Sequence, residues 1–310
     1  MINPIPHVPV MIEEMCEHLL HKKDGIYLDG TVGFGGHSSR ILDYIDSKGF
    51  LVGLDLDPYA LEYSNKRFSV HLNSFSLNHA NYKEFPEIIN SLGIKKLDGM
   101  LFDLGTSSYQ VDSKHRGFSY MRESDLDMRF NSNDGITAKE FLNTIDEKSL
   151  ADIIYLNSGE KKSRRIARSI LKYVEKGNML TTLDLRKSVE QSIGQRYLIK
   201  SLSRVFQAIR IHINNELESL KALLSVIPDY LEKDGKVVFI TFQSIEDKMI
   251  KSFFRTNSIT CICHKEIPVC QCEIKPKIEI INKKALIASE FELLKNNRAR
   301  SAQMRVARGL

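Results

Sequence analysis

A short apolar run ending in an acid, Ile26-Tyr-Leu-Asp29, leads into Gly30-Thr-Val-Gly33-Phe-Gly35-Gly36-His37. Gly33, Gly35 and Gly36 let a backbone turn sharply and approach a ligand without Cβ clashes. A second run ends in Gly53-Leu-Asp55-Leu-Asp57-Pro58, and Asp55 lies 22 residues after Gly33. Nucleotide-binding α/β folds place a ribose-binding acid at about that distance, ~20 residues. Together these features imply a nucleoside-containing cofactor. A dinucleotide would require Gly-x-Gly-x-x-Gly at a helix N-terminus for its pyrophosphate. Here Gly33-Phe-Gly35 is followed by Gly36, His37 and Ser38. Asp29 would repel a pyrophosphate but accept a hydrogen bond from an ammonium. The balance favours S-adenosylmethionine over NAD.

A third acid closes another apolar run, Asp98-Gly-Met-Leu-Phe-Asp103, ahead of the small polar loop Leu104-Gly-Thr-Ser-Ser108. In open α/β sheets ligands bind at the carboxyl ends of strands, so Asp103 is expected at the cofactor's reactive end. The plainer reading is a turn or N-cap aspartate. Cys261-Ile-Cys263 and Cys270-Gln-Cys272 form a repeated Cys-x-Cys pair. Four thiolates could hold Zn²⁺ tetrahedrally, with His264 as another donor, but the spacing differs from the usual knuckle. Metal and reduced thiols stay open on sequence alone, and no residue is assigned to a metal.

The elements that must position these acids read as strands at Ile26–Asp29, Phe50–Asp55, Val70–Phe75, Asp98–Leu104 and Lys236–Phe242, with helical patterns between the first four. That alternation implies a parallel sheet covered on both faces. Lys277–Asn282 and Gln303–Arg308 are candidate antiparallel edge strands. Nearly 100 residues then separate Leu104 from the next long helix, far beyond the usual 2–6 of a strand-to-helix loop. Within them Asp146–Leu156, Glu160–Lys176 and a stretch opened by Thr181-Thr-Leu-Asp184 read as helices closed by glycine. A helical domain inserted into the α/β domain is expected. A long helix from about Ser203, ended by Pro228, returns the chain to the sheet.

Hydrophobic residues make up 42% and charged residues 27%, ordinary for a globular protein. No apolar run approaches a membrane span, and the N-terminal residues do not read as a secretory signal, so cytoplasmic residence is expected. Net charge is +5, but residues 160–210 hold thirteen Lys/Arg against four acids. Residues 295–310 add five basic residues and no acid, leaving the remainder at −9. Positive charge so concentrated suits a polyanion, with a solvated helix face as the alternative. On a helix Lys161, Arg165, Arg168 and Lys172 fall within a stripe of ~40–60°, opposite Ile166, Ile170 and Val174. Such a ridge suits an RNA backbone.

Taken together, Asp29-Gly-Thr-Val-Gly-Phe-Gly-Gly-His-Ser38, Leu101-Phe-Asp-Leu-Gly-Thr-Ser-Ser108, Arg116-Gly-Phe-Ser119, Leu126-Asp-Met-Arg129, Arg164-Arg-Ile-Ala-Arg168, Phe206-Gln-Ala-Ile-Arg210, Phe242-Gln-Ser-Ile-Glu-Asp247 and Arg298-Ala-Arg-Ser301 resemble the RsmH (MraW) methyltransferases. The match runs from about His7 to Ala307. The resemblance implies a Rossmann-like class I methyltransferase sheet formed by residues 1–110 and 203–310, with residues 111–202 as a basic, helical RNA-recognition insert. It implies methyl transfer from S-adenosylmethionine to N4 of a cytidine in the decoding (P-site) region of 16S rRNA, within the 30S subunit or a late assembly particle. Carried over by position, it implies cofactor contacts at Gly35, Gly36, His37, Asp55, Tyr82, Asp103 and Gln110, with Asp103 catalytic. Tyr82 stands where relatives have Phe, and read alone it is a helix core residue. The chain departs from the family at Tyr109, Gln243, Asn297 and Lys200–Ser203, all on the substrate side.

Cytosine N4 is conjugated with the ring and is a poor nucleophile. Acceptors aimed at its protons, such as Asp103 and a nearby backbone carbonyl, would help it react. Phe118, Tyr120 and Tyr109 are candidate platforms for the base, though each also reads as a packing aromatic. The competing readings are a methyltransferase for protein or small molecules, a nicotinamide dehydrogenase, and a non-catalytic ribosome-assembly factor.

Overall fold

The computed structural model describes residues 9–71, 75–263 and 272–310, and divides into two compact units. The first comprises Met1–Gly105 and Ser219–Leu310; the second is Thr106–Glu218. The helical unit thus begins at Thr106 and closes at Glu218, wider at both ends than the expected 111–202.

Among the described residues, the first unit has eight strands: β1 (Ile26–Asp29), β2 (Phe50–Asp55), β3 (Phe75–His79), β4 (Leu97–Asp103), β5 (Leu231–Thr241), β6 (Ile278–Ile280), β7 (Leu286–Ile287) and β8 (Gln303–Gly309). The sheet runs β3-β2-β1-β4-β5-β8-β6, with β7 also pairing β8. β1 to β5 run parallel to one another, and β8 is antiparallel to β5, β6 and β7. Side chains alternate across the sheet with period two. Leu28, Val52, Phe102 and Phe239 accordingly face one core, with the buried Phe85 and Ile89 and with Leu220, Leu224 and Ile227. Tyr27, Leu51, Leu101 and Val238 face the other, beneath Met11, Met15, Leu19 and Ile41.

The register sets the site. Asp29 of β1 lies level with Gly53 of β2 and Leu101 of β4. Asp55 and Asp103 stand two residues further along their strands. All three acids therefore continue the row of Tyr27, Leu51 and Leu101 at the carboxyl edge of the sheet.

The third strand lies later than its expected place at Val70–Phe75. Phe68–His71 forms a 3-10 turn in which Phe68 is buried while Val70 is 82% exposed. The strand itself, Phe-Ser-Leu-Asn-His, is an edge strand with polar residues, and it pairs Phe75 with Leu51 and His79 with Asp55.

The second unit has its own core, including Phe141, Ile154, Ile166, Ile170, Leu185, Val189, Leu202 and Ile209. Its helices include Ala138–Thr144, Glu147–Ser158, Ser163–Glu175, Thr182–Ser192 and Leu198–Ile213. Their ends follow local chemistry. Asp146 accepts from the Ser149 amide at 3.0 Å, and Gly159 closes the same helix at φ 66°. Thr181 and Asp184 form the expected capping box. The expected single helix from Ser203 to Pro228 is instead two, Leu198–Ile213 and Glu216–Tyr230, and Pro228 sits within the second. Asn215 adopts φ 49°, which breaks the helical ladder. The Asn214 side chain bonds Met128 O at 2.8 Å and the Phe130 amide at 2.7 Å, rewarding the break with distant partners.

Candidate active site

Asp29 is buried at the end of β1. Its Oδ2 accepts from Ser38 Oγ at 2.6 Å and its Oδ1 from the Thr31 amide at 3.1 Å. Asp55, at the end of β2, accepts from the Gly33 amide at 2.6 Å and from the Asp57 amide at 2.8 Å. It therefore ties the glycine turn to the second strand. Ser64 Oγ donates to Gly33 O at 2.8 Å, and Arg67 donates to Phe34 O at 3.1 Å, holding the turn from its other side. Gly33 and Gly35 have φ 52° and 74°. A Cβ on Gly35 would sit 2.5 Å from the Phe68 ring, and one on Gly36 would sit 2.8 Å from Pro9, whereas one on Gly33 would meet nothing within 4 Å. Packing thus demands glycine at 35 and 36, and Gly33 presents backbone to open space.

Asp103 ends β4. Its amide donates to Thr31 Oγ1 at 2.7 Å. Its Oδ1 is buried and accepts no hydrogen bond among the described residues. Its Oδ2 lies 3.9 Å from His37 Nδ1. His37 Nε2 is 2.9 Å from Val10 O. A carbonyl only accepts, so Nε2 carries a proton and Nδ1 is the ring nitrogen that faces Asp103.

The carboxyls of Asp29, Asp55 and Asp103 are pushed up to about 6, chiefly by burial, with the negative charges of Asp57 and Asp29 contributing at Asp55 and that of Asp29 at Asp103. His37 acts in the opposite sense on Asp103. Three carboxyls strained toward neutrality at one sheet edge make a site for a cation. A donor that carries both an ammonium and a sulfonium fits it, whereas a pyrophosphate does not.

Tyr82 opens the 3-10 turn after β3 and packs edge-on against Phe102, with centroids 6.2 Å apart. Asp247, in the Phe242–Asp247 motif, forms a paired contact with the buried Arg305 of β8, at 2.5 and 3.0 Å. That acid fastens the helix Ser244–Asn257 to the sheet. Gln243, which precedes this helix, has its Oε1 buried without a hydrogen-bond partner among the described residues.

The sequence matches the model of the MraW methylase family over residues 4–310. The chain belongs to that family. The small-subunit ribosomal RNA methyltransferase H of Caldicellulosiruptor saccharolyticus is 40% identical over 302 residues, covering 97% of this chain and 98% of that protein. The protein of the same name from Carboxydothermus hydrogenoformans is 40% identical over 306 residues, covering 98% of each. Among solved structures, an rRNA methylase from Streptococcus thermophilus aligns over 100% of this chain and 99% of its own, at TM-score 0.42 and 8% identity. As a MraW methylase the chain has a Rossmann-like class I methyltransferase sheet, and its cofactor is S-adenosylmethionine.

Of the MraW residues expected at the cofactor, the first unit brings Gly35, Gly36, His37, Asp55 and Asp103 to the carboxyl edge of the sheet, together with Asp29. Tyr82 lies beyond the end of β3. Gln110 belongs to the second unit, where its buried side chain accepts from the Ser107 amide at 3.0 Å and closes a capping box. Phe118 stacks on Phe130 with centroids 5.6 Å apart, and Tyr120 meets Phe206 edge-on at the same distance, so both serve the helical unit's packing. The hydroxyls of Thr31 and Ser38 that position the acids, the Ser64 hydroxyl that holds the glycine turn, and the Val10 carbonyl that fixes His37 were not singled out in the sequence. Hydroxyls and main-chain carbonyls are too common to single out. Cys270 and His264 lie outside the described residues.

Proposed function

We propose that this methylase transfers a methyl group to N4 of a cytidine in the decoding (P-site) region of 16S rRNA, acting in the cytoplasm on the 30S subunit or a late assembly particle. The observation that carries the chemistry is Asp103, whose Oδ1 is buried and unsatisfied while its Oδ2 faces His37. The names of the relatives support the choice of RNA, and the choice of base rests on the resemblance. S-adenosylmethionine, when bound, supplies a methyl group already activated on sulfur. Asp29, Asp55 and the glycine turn would hold it, with Tyr82 as a further contact. Asp103 Oδ1 is an acceptor waiting for a donor, and an exocyclic amine supplies two. Accepting one N–H turns the nitrogen lone pair out of conjugation and takes up positive charge as the N–C bond forms. This is a general-base or electrostatic contribution of about 10²–10⁴-fold. The proton lost from nitrogen passes to Asp103.

Residues 106–218 are proposed to recognise RNA. Arg165, Arg168 and Lys172 are exposed on the helix Ser163–Glu175, opposite the fully buried Ile166, Ala167 and Ile170, while Lys161, expected on the same stripe, is exposed in the turn before the helix begins. Arg168 also pairs with Glu147 at 3.1 Å, so it would exchange a carboxylate for a phosphate on binding. Among the described residues no helix is long and apolar enough to cross a membrane. The test is incubation with methyl-labelled S-adenosylmethionine and unmethylated 30S subunits. Label should enter 16S rRNA; label in ribosomal protein, or no transfer, overturns the proposal.

A further inference from the structure

The helix Ser244–Asn257 is joined to β6 by residues 258–277, and no helix or strand occurs among the described residues of that connection. Its base is closed by the Lys277 amide, which donates to Asn257 O at 2.9 Å. Closing a connection of this length carries an entropic cost that a cross-link relieves. Three cysteines lie within it, and the Sγ atoms of Cys261, Cys263 and Cys272 are all within 4.8 Å of one another.

Three converging sulfurs are not the geometry of a disulfide, which joins two. They are the geometry of a soft metal site. Zinc bound to sulfur at about 2.3 Å in a tetrahedron separates its sulfurs by about 3.8 Å, within reach of this cluster by small side-chain adjustments. Backbone amides already point at the sulfurs. The Ile262 amide lies 3.4 Å from Cys272 Sγ, and the Cys263 amide lies 3.4 Å from Cys261 Sγ. Amides donating to sulfur stabilise thiolate over thiol and are the outer support that thiolate metal sites require.

We propose that Cys261, Cys263 and Cys272 form the thiolate face of a structural Zn²⁺ site that cross-links this connection. Each thiol gives up its proton as its Zn–S bond forms, with no change of oxidation state. The site lies apart from the three acids at the sheet edge in chemistry as well as sequence, so it is structural and leaves methyl transfer to Asp103.

The experiment is metal analysis of the full chain, purified under reducing conditions from zinc-supplemented medium. About one zinc per chain is expected, and Cys261→Ser/Cys263→Ser should lose it while keeping the wild-type circular dichroism. A second measurement needs no variant. Titrating the wild-type protein with an organomercurial should release zinc to a chromogenic chelator as the thiols react, and limited proteolysis should then cut within residues 258–276. Zinc-free wild-type protein, iron in its place, zinc retained by the double variant, or cleavage unchanged by zinc release would each overturn the proposal.

Discussion

Replacing Asp103 by Asn separates what this side chain costs the fold from what it does for the reaction. Burial holds the carboxyl at about 6, against an ordinary 3.8. The folded protein therefore binds a proton that the unfolded chain has released between those two values. Wild-type stability must fall as pH rises through that window and stay lowered above it. At about 1.36 kcal/mol per pH unit, the charged form carries a penalty on the order of 3 kcal/mol at pH 8, and only part of it at pH 5. Asparagine does not titrate, and whatever its amide costs to bury is the same at both pH values. The stability of Asp103→Asn relative to wild type should therefore be more favourable at pH 8 than at pH 5, by on the order of 1 kcal/mol. Urea unfolding of the ligand-free protein at the two pH values reads this directly. On the same variant, single-turnover methylation should fall about 10²-fold or more, because the charge that accepts the amine proton is gone. S-adenosylmethionine affinity should fall much less, since Asp29, Asp55 and the glycine turn remain. A stability difference that is flat with pH or opposite in sign would refute the burial argument. A near-wild-type rate at saturating cofactor would refute the proton-acceptor role.

Three further outcomes follow from the same geometry. Asp55→Ala should weaken S-adenosylmethionine binding in calorimetry by about 1.5–3 kcal/mol, the worth of hydrogen bonds to a charged acceptor, and unchanged affinity would leave Asp55 only its bonds to Gly33 and Asp57. Gly35→Ala should destabilise the protein well beyond Gly33→Ala: both pay about 1–2 kcal/mol for a left-handed backbone, but only at Gly35 does the new Cβ meet the Phe68 ring, at 2.5 Å, and equal thermal unfolding would sink that distinction. Reversing Arg165 and Lys172 to Glu should lower RNA affinity and flatten its salt dependence by about 0.7–0.9 log units per lost phosphate contact; an unchanged slope would make the stripe a solvated face.

The acids and the glycine turn were legible because strand ends in a parallel sheet announce themselves. Apolar runs stop at Asp29, Asp55 and Asp103, and period two carries all three to one edge. Helix ends were legible wherever a cap was local, as at Asp146, Gly159 and Thr181. What escaped depended on distant partners or on weak patterning. The edge strand Phe75–His79 lacks a continuous apolar run, so Val70 looked like a better strand residue than its exposure allows. The break at Asn214 is secured by Met128 and Phe130, more than 80 residues away in sequence. Because that helix stops and restarts, the helical unit extends to Glu218 where the pattern alone had returned the chain to the sheet. The orientation of His37 depends on the Val10 carbonyl, which no side-chain motif could reveal. Asp55 is a subtler case. Its spacing from Gly33 suggested a ligand contact, and the structure shows that the same spacing lets it brace the turn.

The central claim is tested most directly by locating the methyl group. Unmethylated 30S subunits are incubated with the protein and methyl-labelled S-adenosylmethionine, and the 16S rRNA is digested and mapped by mass spectrometry. Label on N4 of a single cytidine in the decoding P-site region, lost with Asp103→Asn, is the predicted result. Label on another base, on a ring carbon or on ribose would contradict it, as would transfer that survives the loss of Asp103.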